Sequence, residues 1–325
     1  MANDPGFVND TCIFIEGIPG DGGQHDSNNV WWLSPDIQLV GPLSGPDVAD
    51  GGQTNQVNVK VHRQPAASNC LFPNDESLAV EVWVANPSLA MLPRKGSATR
   101  VIFSGAAVPT AGGSVTAHLN WDAPASLSPL DPASAGPKCL VVRCYPSSDT
   151  PAGEFFFVPG DSHVAQHNLC VVKTLALNLS FTFNTINPTP TPPLLQLVKV
   201  KLRAVMDLEP SKVVKNLIGA RLRSIPGLQK VRSTALPHGF AFDLTGLQSS
   251  DIVDHSHSGG LGFPSPPPFP FYEAHVGLTD RKPTRINFLA NLQGMAAGEA
   301  AIFHLTQSSL SNVSEGGLTL VVLRP

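Results

Sequence analysis

Apolar and polar side chains alternate with a period of two in several stretches of this chain, and that rhythm restricts what it can fold into more than any other feature. In Gln56-Val57-Asn58-Val59-Lys60-Val61 the three valines fall on one side of an extended backbone, and residues 78–84 repeat the pattern with Val80, Val82 and Val84. Trp83 points to the opposite side, so both faces of that strand should be covered. Further strands are expected at 37–40, 101–104, 114–121, 139–145 and 168–172, and then at 175–183, 195–205, 239–244, 274–278, 285–292, 300–307 and 317–323. With 31 prolines and 28 glycines punctuating them, short strands joined by turns make an all-β chain.

At 325 residues the chain is longer than one core usually supports, which is about 250–300 residues. Two immunoglobulin-like β-sandwich domains follow, 1–174 and 175–325. The second carries one helical insertion at 209–225, where Val213, Val214, Leu217, Ile218 and Leu222 form a stripe, Pro210 stands near the start and Gly227 after the end. Asn187-Pro188-Thr189-Pro190-Thr191-Pro192-Pro193 reads as a polyproline II spacer, either the linker or a stiff loop just inside the second domain. Both halves close on an apolar strand, 168–172 and 317–323.

A net charge of −4 offers no basic stripe for phosphates, so nucleic acid is not an expected partner. No run of 18 apolar residues exists, so no helical membrane span is expected. Residues 1–10 lack the basic and apolar regions of a signal peptide. The expectation is synthesis in the cytoplasm, with signal-independent export or incorporation into a particle as alternatives. Cys12, Cys70, Cys139, Cys144 and Cys170 form no CxxC pair. Cys139 and Cys170 sit in apolar strands, where they read as small buried hydrophobes, a disulfide between them being the alternative.

Trp31-Trp32-Leu33-Ser34-Pro35-Asp36-Ile37, the strand Val80-Glu81-Val82-Trp83-Val84, Cys139-Leu140 and the closing Val164-Ala165-Gln166-His167-Asn168 come in an order that resembles a bacterial immunoglobulin-like accessory module of the CARDB-like kind, over about residues 10–173. The resemblance implies a sandwich with an accessory or structural role, and no reaction.

Several clusters are candidate sites. Asp21, Asp26 and Asn28 concentrate oxygen donors in a glycine-rich loop to which Asp36 could fold back, a set suited to calcium, although the spacing is not that of an EF-hand. Asp254, His255 and His257, with His238 and His275 as further ligands, could hold a transition metal and centre a metal-dependent hydrolase. His163 and His167 read instead as loop-tying groups, and Asp161, Ser162 and His163 cannot bond in series because neighbours on an extended chain face opposite ways. Of the adjacent pair Trp31 and Trp32, Trp31 is expected to be exposed, a candidate platform for carbohydrate. Phe263, Phe269, Phe271 and Tyr272 crowd a proline-rich segment that packs back on its domain or enters a partner. With low charge, these features point to a non-enzymatic structural or protein-interaction subunit that binds another protein or its own copies, in a larger bacterial or phage-like assembly. A calcium-stabilised carbohydrate-binding module and the hydrolase are the alternatives.

Overall fold

The computed structural model describes residues 12–25, 30–65, 77–93, 97–147, 156, 158–187, 198–222, 230–245, 247, 253–254, 271–278 and 283–325. The chain divides into two compact units, one formed by Met1–Asn86 and Met91–Asn168, the other by Pro87–Ala90 and Leu169–Pro325. Both are β-sandwiches, and the protein is all-β with a single helical insertion in the second unit among the described residues.

In the first unit the strands are β1 (Ile13–Phe14), β2 (Ile37–Gly41), β3 (Gly45–Pro46), β4 (Val48–Ala49), β5 (Thr54–Arg63), β6 (Ser77–Ala85), β7 (Thr99–Ala107), β8 (Ser114–Asp122), β9 (Gly136–Pro137), β10 (Cys139–Pro146) and β11 (Val164–His167). One sheet is organised by β5, which pairs β8 along one edge and β2 and β1 along the other. The second sheet runs β11-β10-β6-β7. The alternation read from the sequence is what joins them. Ile37, Leu39, Val57, Val59, Val61, Leu119 and Trp121 point inward from the first sheet and meet Leu78, Val80, Val82, Val84, Leu140 and Val142 from the second. Each fully buried side chain of this size contributes about 1.5–3 kcal/mol.

The second unit contains β12 (Leu169–Lys173), β13 (Asn178–Thr185), β14 (Val198–Met206), α1 (Lys212–Leu222), β15 (Lys230–Val231), β16 (Phe240–Asp243), β17 (Val253–Asp254), β18 (Phe271–Leu278), β19 (Thr284–Asn291), β20 (Glu299–Ser309) and β21 (Ser314–Leu323). Its large sheet runs β12-β21-β20-β14-β18-β17, with β15 beside β20, and its small sheet runs β13-β19-β16. Rings fill the space between them: Phe288 of the small sheet packs on Phe303 of the large one at 5.0 Å, and Phe242 meets Tyr272 at 5.6 Å. Gln307, fully buried, ties the sheets by polar bonds, contacting the Thr185 hydroxyl and donating to Ile186 O at 2.7 Å. Helix α1 is capped by Ser211, whose Oγ accepts from Val214 N, and it buries Val214 and Ile218 one turn apart.

The boundary lies earlier than composition suggested. Strand β12, expected to close the first sandwich, runs parallel to β21, with Cys170 opposite Leu320 and Val172 opposite Val322. The proline run 188–193 therefore falls within the sequence span of the second unit, outside the described residues. Cys139, Cys144 and Cys170 are buried thiols, so no disulfide joins Cys139 to Cys170; among the described residues Cys12 is the disulfide-bonded cysteine, which spacing did not reveal.

Candidate functional site

Two regions of the first unit gather chemistry. The first is the segment from Cys12 to His25, which carries β1 near its start and is stitched to its sandwich by polar groups. Ile15 N donates to Ser162 O at 3.0 Å, and Gln64 N donates to Cys12 O at 2.8 Å. Ser34 Oγ donates to Glu16 O at 2.5 Å, and Glu16 N donates to Asp36 Oδ2 at 2.8 Å. Around these bonds stand four histidines, each beside an aspartate: His25 with Asp21, His62 with Asp36, His163 with Asp161 and His167 with Asp47, at 2.9–3.3 Å.

Asp21 is used within its own turn. Its carboxylate accepts from the amides of Gly17, Ile18 and Gly23 at 2.8–3.0 Å and lies 3.1 Å from His25 Nδ1, while His25 Nε2 lies 2.9 Å from Val164 O. Burial by itself raises the Asp21 carboxyl, but His25 and the Ile18 and Gly23 amides outweigh it and hold the group below its ordinary value. Gly17 and Gly23 are required here, since a Cβ on either would come within 2.6 Å of His25 Nδ1 or of the Phe14 side chain. The calcium set is thus divided. Asp21 caps a turn, Asp36 turns to Glu16 and His62, and Asp26 and Asn28 lie outside the described residues.

Asp36 has different neighbours from those the sequence suggested. Ligand atoms of Glu16, Asp36 and His62 all lie within 4.8 Å of one another, Asp36 being buried and the other two half-buried. His62 Nε2 is 2.9 Å from Asp36 Oδ2, and the ring stacks on Phe14 with centroids 5.0 Å apart and planes at 13°. Neither Glu16 nor His62 belongs to a motif: they stand 46 residues apart in sequence and meet only because β1 pairs with the end of β5, Phe14 opposite His62.

The second region is the outer face of the sheet β11-β10-β6-β7. Glu81 lies opposite Arg143 in the β6/β10 register, and its carboxylate accepts from Arg143 Nε and Nη2 at 2.9 Å and from Arg100 Nη1 at 2.5 Å. The two guanidinium groups lie over Trp83 at 5.3 and 5.8 Å, and Arg143 also lies over Phe156 at 5.3 Å. Burial, then the Glu81 charge, pushes the Tyr145 phenol up to about 12. Beyond this array runs β7, the edge of the sheet. Phe103 at its middle is 60% exposed, and Arg100 is the one charged residue in Thr99–Ala107.

Trp31 and Trp32 are both buried, their rings edge to face at 5.8 Å, because the chain turns at these residues instead of extending; Trp31 is not exposed and offers no platform to a sugar. Phe271 and Tyr272 open β18 instead of lying in a loop, Phe271 under the Arg203 guanidinium at 5.3 Å and Tyr272 against Phe242. Phe263, Phe269, His255 and His257 lie outside the described residues, and Asp254 pairs through β17 with Ala274 of β18. His238 lies exposed in a turn and His275 lies on β18, 3.9 Å from Glu273. His163 Nδ1 reaches Asp161 at 3.1 Å, but the buried Ser162 hydroxyl makes no hydrogen bond, so these three residues form no relay.

No family model matches the chain, and no curated protein matches it. Among solved structures, a collagen adhesin (CNA) from S. aureus aligns with 85% of this chain and 92% of that one, at 8% sequence identity and a TM-score of 0.19.

Proposed function

We propose that this protein is a non-enzymatic interaction module whose two sandwiches act as a scaffold and whose binding element is the edge strand β7, with copies of the same chain as the first partner to test. The observation that carries the reading is β7 itself. It is nine residues long, contains one charged residue and no proline, and pairs on one side with β6 among the described residues. Natural edge strands are usually protected by charge, proline or brevity, because open N–H and C=O groups accept an added strand. Phe103, exposed beside that edge, adds apolar area to a strand docked there.

The resemblance of residues 10–173 to bacterial immunoglobulin-like accessory modules supports the same role. A disulfide at Cys12 favours the exported alternative over a reducing cytosol. Light scattering over a concentration series tests the reading. The native chain should associate, and the double variant Phe103→Lys/Gly105→Lys should shift to monomer with its unfolding midpoint retained, since a Cβ at Gly105 meets nothing nearer than Leu78 O at 3.9 Å. A native chain that is monomeric at every concentration would remove self-assembly.

A further inference from the structure

Glu16, Asp36 and His62 come from three separate stretches of chain: the segment after β1, the turn before β2, and the end of β5. We propose that they form a binding site for one divalent transition-metal ion of the zinc class, which clamps the Cys12 to His25 segment to the sandwich. Donors bound to a common zinc ion at about 2.0–2.2 Å stand roughly 3–4 Å apart. The three ligand atoms, all within 4.8 Å of one another, need only a small closure to reach that spacing.

Charge argues for a cation. Two carboxylates share this half-buried space, and among the described residues only Asp36 has donors, namely the Glu16 amide and His62. Among the described residues no hydrogen bond or ion pair reaches the Glu16 carboxylate, which faces a like charge at short range. An ion between them converts that repulsion into attraction.

The surroundings hold the ligands in place. Phe14 fixes the plane of the His62 ring, while Ser34 Oγ accepts from Asp36 N at 3.2 Å and donates to Glu16 O, so both carboxylate-bearing residues are anchored through the backbone. Coordination through Nε2 replaces the His62 to Asp36 hydrogen bond, with the ring proton carried on Nδ1. One imidazole and two carboxylates suit zinc or manganese; calcium requires six to eight oxygens, more than this set supplies. Water would supply the remaining donor of a tetrahedral set.

The test is calorimetric titration of the chelator-treated full chain with zinc chloride and with manganese chloride, read together with the thermal midpoint. One ion per chain is expected, with the midpoint raised. Glu16→Gln should weaken binding by at least about 10–100-fold, the scale of losses at metal-supporting groups. This variant keeps the fold, because the Glu16 side chain makes no bond that the amide would lose; His62→Gln should weaken binding similarly, with circular dichroism reporting whether it folds. A His255→Ala/His257→Ala variant should bind as the native chain does. Absence of saturable binding for both ions, native affinity in Glu16→Gln, or loss of binding in the His255/His257 variant would each overturn the site.

Discussion

Glu81 and Arg143 form a buried ion pair on the outer face of the sheet β11-β10-β6-β7, their side chains 4% and 7% exposed, whereas Arg100, which bonds the same carboxylate, is 47% exposed. The difference decides what each contributes. Removing one member of a buried pair strands the other without water, at a cost of about 3–5 kcal/mol, while an exposed partner is worth about 0–1 kcal/mol. Urea denaturation should therefore show Glu81→Ala losing several times more stability than Arg100→Ala, and equal losses would mean that solvent screens the whole cluster. Alternation over 78–84 puts Glu81 on the side of Trp83, opposite Val80, Val82 and Val84, but does not tell that it faces Arg143. That meeting depends on the β6/β10 register, which no local pattern encodes. Trp31 shows the opposite failure, since extended geometry was assumed where the chain turns, and a turn buries both rings.

Strands were legible because a half-buried strand writes its burial into every second residue. Val57, Val59 and Val61 are each fully buried with less buried residues between them, and α1 likewise appears inside the expected helix because Val214 and Ile218 repeat at the spacing of one turn. Pairing was not legible. The two closing strands of the halves, which looked like ends of separate domains, are neighbours in one sheet, β12 parallel to β21. Apolar composition records that a strand is covered, and says nothing of which strand covers it. Gly316 is likewise a packing requirement that no local pattern announces. A Cβ there would lie 1.9 Å from Leu89 O, because the excursion Pro87–Ala90 crosses β21 at this point. Gly316→Ala should cost at least the usual 1–3 kcal/mol of overpacking, about the upper end since the obstacle is backbone, measurable as a lowered urea midpoint. An unchanged midpoint would mean that the Pro87–Ala90 segment can move away without loss.

At the scale of the molecule, the carboxylates predict how stability follows pH. Burial raises the Glu299 carboxyl, but the Ala296 amide, Lys230 and Arg232 together hold it below its ordinary value; Asp50 in the other unit is lowered against burial by the Ser44 hydroxyl and the Ser44 and Leu43 amides. A folded value below the unfolded one gives stability that is present above about pH 4 and lost as pH falls through the folded value. Glu315 has the opposite sign, since burial raises it against the Gln307 bond, and its contribution is lost as pH rises. Thermal scans should thus find Glu299→Gln less stable than the native chain at neutral pH and closer to it in acid, and Glu315→Gln more stable at neutral pH.

The division into units determines which fragments fold. A fragment cut where composition places the boundary, 175–325, lacks β12 and leaves the β21 edge, including Leu320 and Val322, unpaired; a fragment starting at Leu169 retains that strand. Five residues of parallel pairing over a fully buried apolar edge are worth far more to this unit than five residues of linker. Fragment 169–325 should unfold cooperatively and 175–325 should not, or should do so at a much lower midpoint. Both fragments lack Pro87–Ala90, so that loss cancels in the comparison, and equal midpoints would return β12 to the first sandwich.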